Sequence, residues 1–397
     1  MKYRIILFQP FLRKHILNFG KYLRHCEFVV QRPLRGNFYK SKLPRYEKEI
    51  RRIKINPFNI FRRIFGILNV RVKFDAQADM FFTYSCMLVT NKPYCVYIEN
   101  GVSIYNYDTV IAANPIARFI FSLLVRRDNC KKLIFMSEAG KKSFFATVRY
   151  DRKTEAVAMG KSVQIYPLIE KKDTGPKKFH GELKLLFAGL FYMKGGLELV
   201  HAFAKIREKH ADVFLTIITS LHTVKKSDIR MMAGIPGLTL LDADFDEDQM
   251  NAIYQSHDVF ILPTLREGFG LVLVEALSWG MPIICTDQYA TTEVAKDGYN
   301  AFVYPDHPLK DYDTTTYRLI GRYYHPRYFY ADLFRYQKEG KMRPLEDFLF
   351  RMIEKFITEP DTLEKFSRNS LELYDRKFHQ DKITEQIESA LLASLKR

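Results

Sequence analysis

The stretch Leu262-Pro263-Thr264-Leu265-Arg266-Glu267-Gly268-Phe269-Gly270-Leu271-Val272-Leu273-Val274-Glu275 decides how this chain is read. It follows a short apolar run, Val259 to Leu262, that Pro263 ends as a strand, and it opens into an apolar segment, about Leu271 to Trp279, that reads as a helix. In open α/β sheets a ligand sits outside the carboxyl ends of the strands. A helix N-terminus there offers N–H groups and a partial positive charge to an anion. Gly268 and Gly270 let the backbone approach such a ligand closely. Glu267 and Glu275 are eight residues apart and share an azimuth if the helix starts early, so both can face one bound molecule, one toward sugar hydroxyls and the other toward ribose hydroxyls. Taken singly, they read as a first-turn acid on the helix dipole and a solvated helix residue. Glu275, however, is bracketed by Val274, Ala276 and Leu277, where an unpaired carboxylate is costly and a bound polyol supplies a partner.

Outward from this stretch, residues 183 to 286 alternate apolar runs with amphipathic segments. Strands are expected at Leu183–Ala188, Val213–Thr219, Leu238–Leu241, Val259–Leu262 and Pro282–Thr286. Helices are expected at Gly195–His210, from an N-cap at Asp246 to Tyr254, and from Leu271. That rhythm implies a parallel sheet with helices on both faces. Comparable strands at Tyr3–Phe8, Met80–Tyr84, Tyr94–Ile98 and Leu133–Met136 predict a second α/β domain. At 397 residues the chain exceeds the roughly 250–300 that one core serves. We therefore expect domains at 1–165 and 182–365, joined by an exposed Lys/Pro/Gly-containing linker at 166–181, with an aromatic and basic insertion at 306–345. A helical segment at 366–397, periodic through Ile383, Ile387, Leu391 and Leu395, is placed to pack back on the first domain.

Composition excludes several classes. Five scattered cysteines without paired spacing argue against a disulfide or zinc scaffold and fit a reducing, cytoplasmic setting. Ile5 to Phe8 is cut off by Gln9-Pro10, too short for a signal peptide, and no run approaches the roughly 20 apolar residues of a membrane span. The net charge of +17 is concentrated at the start, where 17 Lys and Arg in the first 70 residues face only Glu27, Glu47 and Glu49. No nucleic-acid reader motif accompanies it. Two readings of Arg51-Arg52, Lys54, Arg62-Arg63 and the interleaved Ile53, Ile55, Phe58, Ile60, Phe61, Ile64 and Phe65 stand. One is an amphipathic face on the inner, anionic side of a membrane; the other is packing of the first domain's own core.

The run Glu267-Gly-Phe-Gly with Glu275, the preceding Leu262-Pro263 and the trailing Gly280-Met-Pro282-Ile-Ile resemble the donor-binding signature of the family 4 glycosyltransferases, retaining enzymes with the two-domain GT-B fold. The likeness runs from Phe187-Ala-Gly189 to Lys194-Gly195-Gly196, through Tyr254–Pro263, to Glu293-Val294 and Asp297-Gly298-Tyr-Asn300, and is weaker at Leu133–Glu138 and Pro93–Glu99. It implies two Rossmann-like domains facing across a cleft, a nucleoside-diphosphate sugar as donor, and transfer with retention to a glycan or lipid-linked acceptor, as in cell-surface polysaccharide or glycolipid synthesis. It assigns Glu267 to the donor sugar, Gly268, Phe269 and Gly270 to sugar and phosphates through the backbone, and Glu275 to the ribose. Gly189, Gly195, Arg266 and Leu271 fall in the same donor-binding set. The family presents an Arg just after the first glycine of its phosphate loop; Leu190 stands there instead. Lys194 is therefore the expected stabiliser of the leaving diphosphate, with Arg266 as substitute, and Ala301 replaces a second expected glycine. No metal or cofactor is required: charge on the leaving group can be met by basic side chains and a helix N-terminus, and Asp242-Ala-Asp244 reads as capping. Glu99 and Asn100 are candidates for an acceptor or sugar contact, or else close a strand-end turn. The alternatives to a transferase are a glycan phosphorylase or synthase-like enzyme, and a catalytically silent homologue that serves as a membrane or protein adaptor.

Overall fold

A computed structural model of the chain describes residues 2–8, 14–30, 64–323 and 326–395. Of the amphipathic face expected at Arg51–Phe65, all but Ile64 and Phe65 lie outside these residues. The strands are β1 (Tyr3–Phe8), β2 (Cys26–Val30), β3 (Val70–Val72), β4 (Met80–Tyr84), β5 (Met87–Val89), β6 (Tyr94–Ile98), β7 (Cys130–Phe135) and β8 (Ser162–Gln164), then β9 (Leu183–Ala188), β10 (Val213–Thr219), β11 (Leu238–Asp242), β12 (Val259–Leu262), β13 (Ile283–Thr286) and β14 (Ala301–Tyr304). They build two parallel six-stranded sheets, ordered β2-β1-β4-β6-β7-β8 and β11-β10-β9-β12-β13-β14, with β3 and β5 paired apart. Central strands such as β4, β6, β12 and β13 are buried at every position. Parallel strands covered by helices on both faces read as such continuous apolar runs.

The second sheet reverses its strand order between β9 and β12, which pair through Val259 with Leu185 and Phe260 with Leu186. Such a reversal opens a crevice at the carboxyl ends of the two strands. The loops Gly189–Gly195 and Pro263–Gly270 leave from those two ends. The site is therefore fixed by topology before any side chain is considered.

The C-terminal chain serves both halves. Helices Arg343–Thr358 and Pro360–Leu373 pack on the second domain, the former along helix Gly196–Lys209. After a π-helical turn at Tyr374–Phe378, helix Gln380–Leu395 lies on β6, β7 and helix Lys14–Tyr22 of the first domain. There Ile383, Ile387 and Leu391 are fully buried, and the Glu388 carboxylate accepts the His25 backbone N–H at 2.6 Å. Helix Pro360–Leu373 runs through residue 366, where the sequence suggests a boundary. The expected linker is exposed only in part, since Tyr166, Leu168 and Ile169 are buried between the halves. In the 306–345 segment Tyr312 pairs with Leu319, and buried Asp332 holds Arg322, Arg335 and the Tyr323 hydroxyl.

Candidate donor site

The loop after β9 is folded by its glycines. Gly195 sits at φ +72° as the N-cap of helix Gly196–Lys209, and a Cβ there would stand 2.2 Å from the Pro263 carbonyl oxygen. Only glycine allows this close crossing of the two loops. Gly196 has no room either, because a Cβ would meet the Phe191 ring at 2.5 Å. The turn closes with Lys194 N–H donating to Leu190 O at 2.9 Å and Gly196 N–H to Phe191 O at 2.7 Å. The Lys194 stem packs over Gly189, and its ammonium donates to the Arg266 carbonyl and to Glu267 Oε2, both at 2.7 Å. Arg266 thus contributes its carbonyl to this cluster, while Leu190 provides no charge where an Arg was expected.

Glu267 and Lys194 form a pair in which each side chain is only about one-sixth exposed, at 15% and 16%. Burial by itself would raise the Glu267 carboxyl, but the Lys194 ammonium and the N–H groups of Gly268 and Phe269 outweigh it and hold the group below its ordinary value. Gly268 N–H donates to Glu267 Oε1 at 2.9 Å. Gly270 takes φ +88° and caps helix Leu271–Ser278. That left-handed residue separates Glu267 from the helix by four positions, so the shared azimuth expected of Glu267 and Glu275 does not hold. Glu275 lines a cavity whose lining does not include Glu267. Phe269 sets its ring 5.8 Å from that of Tyr166, tilted by 31°, at the domain junction, while its N–H serves the Glu267 carboxylate.

Glu275 accepts the hydroxyl of Tyr254 at 3.0 Å and borders a 380 Å³ cavity. Leu271, Phe245, Met250 and Trp279 line it from the second domain, with His15 and Asn18 from the first. A cavity of this size suits a small polar molecule. Burial, and secondarily the Glu275 charge, push the Tyr254 phenol well above its ordinary value, so it stays a donor. Asp246 caps helix Glu247–Ser256 with a reciprocal Gln249 bond, as expected. Asp242 accepts the N–H of Leu221, the first residue of the 3-10 turn Leu221–Thr223, at 3.0 Å, and that of its neighbour Ala243 at 3.1 Å, so it caps that turn.

The first domain brings Glu99 to the same loop: a Cβ on Gly268 would lie 2.9 Å from Glu99 Oε1. The Glu99 carboxylate accepts the hydroxyls of Tyr84 and Tyr107, the latter at 2.7 Å. Its neighbour Asn100 is buried and closes a turn, its side-chain oxygen accepting Val102 N–H at 3.0 Å. The two candidates therefore part company, Glu99 at the cleft and Asn100 in the scaffold. Sequence reasoning missed one of the contacts that join the two halves. Glu293 reaches across to the N-terminus of helix Glu138–Thr147, accepting N–H bonds from Glu138 at 3.0 Å and Ala139 at 2.8 Å, and the Tyr166 hydroxyl at 2.8 Å. Only the acidic Glu293 following the short Thr291-Thr292 start hinted at it.

Among the described residues no group of three or more His, Cys, Asp or Glu is placed to hold a metal ion, and no helix is long and apolar enough to cross a membrane. Residues 182–320 match the family model described as glycosyl transferases group 1. A D-inositol 3-phosphate glycosyltransferase of Arthrobacter sp. (strain FB24) is 29% identical over 138 residues, covering 33% of each chain. The capsular polysaccharide biosynthesis glycosyltransferase CapM of Staphylococcus aureus is 32% identical over 113 residues, 28% of this chain and 29% of that one. These matches span about a third of the length of the curated relatives. In architecture the whole chain is similar to Anabaena Alr3699/HepE, solved in complex with UDP-glucose, with a TM-score of 0.59 and 12% identity over 99% of this chain and 100% of that one. Residues 182–320 therefore belong to the group 1 glycosyltransferases, and the chain that carries them has the GT-B fold of two Rossmann-like domains facing across a cleft.

Proposed function

We propose that the protein is a retaining, metal-independent glycosyltransferase that moves a hexose-type sugar from a nucleoside diphosphate to a glycan or lipid-linked acceptor. The observation that carries this reading is the Lys194–Glu267 pair at the reversal point of the second sheet, beside the Gly268-Phe269-Gly270 turn that opens a helix. Glu275 and Tyr254 in their cavity suit the ribose, Glu267 the transferred sugar, and Lys194 with Arg266 and the first N–H groups of helix Leu271–Ser278 the diphosphate. In the reaction the bond from the anomeric carbon to the diphosphate oxygen breaks, and the acceptor oxygen bonds on the same face. The acceptor's proton passes to the departing phosphate. Negative charge grows on that phosphate, and an ammonium in a water-poor loop stabilises it more than it stabilises the donor. Anabaena Alr3699/HepE was solved with UDP-glucose, which makes UDP sugars the first donors to test. The basic first 70 residues support a peripheral place at an anionic membrane, and a role in surface polysaccharide or glycolipid synthesis fits relatives such as CapM.

A second reading, a catalytically silent adaptor, draws on Leu190, which puts no guanidinium beside the diphosphate position. A thermal-shift series with nucleoside diphosphates, followed by donor hydrolysis and transfer assays, separates the two. A ligand at 100 times its dissociation constant stabilises by about 2.7 kcal/mol. Stabilisation by a nucleoside diphosphate together with sugar release supports the transferase. Binding with neither hydrolysis nor transfer for any donor sugar supports the adaptor.

A further inference from the structure

Helix Pro115–Val125 is apolar on every side, and among the described residues the fold covers only one of them. Its sequence, PIARFIFSLLV, holds a single charged residue, Arg118. Ala117, Phe121, Leu124 and Val125 face the core of the first domain. On the other side Ile116, Phe119 and Leu123 stand at i, i+3 and i+7, where a water-facing helix stripe ordinarily carries charged groups. Ile64 and Phe65 adjoin this stripe: Asn114 Nδ2 donates to the Ile64 carbonyl at 3.2 Å, and a Cβ on Gly66 would run into Asn114 and Ala117. Val110, on the short helix just before, extends it. These six side chains are between 49% and 62% exposed. Ile320 joins them from the second domain, because its neighbour Gly321 packs directly on Thr109. Single exposed apolar residues are ordinary, but a contiguous group of this kind marks a docking surface.

The rim is basic. Arg126 and Arg127 are exposed at the helix's end, with Arg149, Arg152 and Lys153 on the elements beside it. The acids there are Asp108, which caps the helix that carries Val110, Asp128, Asp151 and Glu155, and Asp151 already pairs with Arg126. In sequence, residues 31–63, which lead into Ile64, hold 11 Lys and Arg against Glu47 and Glu49.

We propose that this face docks on an anionic lipid bilayer, with Ile116, Phe119 and Leu123 entering below the headgroups and the arginines lying at the phosphates. An apolar centre with a cationic rim is what an interfacial surface needs, since apolar area and attraction to anionic lipid add. The face also opens beside the cleft: Tyr107, which holds Glu99 against the Gly268 loop, is three residues before Val110. A lipid-linked acceptor on such a membrane would be presented at the cleft mouth. That last link rests on the transferase reading; the docking itself does not.

The test is sedimentation of the full chain with vesicles of phosphatidylcholine alone and of phosphatidylcholine mixed with phosphatidylglycerol, at low and high salt. The expected result is at least about tenfold stronger partition into the anionic vesicles, weakened by salt. Phe119→Asp with Leu123→Asp should abolish most of that partition while leaving thermal unfolding and nucleoside-diphosphate binding as in the wild type. Equal binding to both vesicles, or none to either, overturns the proposal, and so does a double variant that binds like the wild type, because the basic stretch alone would then suffice. A wild-type dimer in solution that Phe119→Asp dissolves also overturns it, in favour of a contact between copies. Retained nucleotide binding alongside failed vesicle binding leaves the transferase reading untouched.

Discussion

Replacing Lys194 with Met tests whether the central pair is both structural and catalytic. The change keeps the stem over Gly189 and removes the ammonium from Glu267, which is left with the Gly268 and Phe269 N–H groups in a largely buried place. Breaking a buried pair by removing one partner costs about 3–5 kcal/mol. The remaining N–H donors and the 15% exposure of Glu267 put this case at the low end, at about 3 kcal/mol. For domains of this size each kcal/mol moves the midpoint by about 2–4 °C, so Lys194→Met should unfold roughly 6–12 °C earlier. Adding Glu267→Gln removes the stranded charge and should restore most of that loss, while both variants stay down in turnover by on the order of 100-fold. The pH dependence has a definite sign. In the wild type the Glu267 pKa is held below its ordinary 4.5, so the pair's stabilisation is present above that value and is lost as pH falls through the lowered one. Without the ammonium the Glu267 pKa of Lys194→Met should lie above that of the wild type, so the variant's deficit should shrink as the pH falls. Thermal unfolding from pH 4 to 8 and initial rates with the true donor measure both effects. A single variant as stable as the wild type, or a double variant no better than the single, would refute the reasoning.

Three further outcomes follow from other contacts. Glu275→Ala should weaken nucleoside-diphosphate binding, measured by calorimetry, while Glu267→Ala should lower turnover more than nucleotide affinity; wild-type kinetics in both would move the donor site elsewhere. Glu293→Ala removes three hydrogen bonds that tie the halves, two of them at a helix N-terminus, and should cost about 1–2 kcal/mol and enlarge the radius of gyration in solution scattering. An unchanged scattering profile would show that the other contacts across the junction, such as the Leu319 N–H to Thr147 Oγ1 bond at 2.9 Å and the Ser143–Tyr289 hydroxyl pair, hold the halves without Glu293. His307 is buried against Gln288, and burial lowers its pKa to about 3. It therefore folds neutral, and stability should fall as pH drops from about 6.5 toward 3. His307→Gln should flatten that acid limb, and an unaltered limb would assign it to other groups.

How much of this was legible depends on the range of the contact. Strands β10 and β12 fall where their apolar runs and breakers put them, because Pro263 and the glycines that follow are local signals. Edge strands β2, β8 and β14 were not expected: Ser162–Gln164 is three residues long and half-buried, and carries no alternation to find. The partition of Glu267 from Glu275 was hidden because it turns on the left-handed backbone of Gly270, which the residue type permits without requiring. Lys194 was found through its loop, but its bond to Glu267 spans 73 residues of chain. Glu293 and helix Glu138–Thr147 are further apart still, and their contact exists only once two separate sheets have been brought face to face.

The path of the chain between those sheets has a consequence for building hybrids of this protein. It crosses from one half to the other twice, near Tyr166 and again near Phe378, and the two crossings touch, their rings 4.8 Å apart and the Tyr374 hydroxyl bonded to the Ile169 carbonyl at 2.7 Å. The N-terminal unit is thus discontinuous in sequence, completed by helix Gln380–Leu395. A chimera cut once, between 166 and 182, would carry that helix away with the wrong parent, leaving Ile383, Ile387 and Leu391 to fit a foreign surface and exposing β6 and β7. A faithful exchange of donor specificity needs two junctions, placed together at the crossing, so that the swapped piece begins and ends at the same point in space.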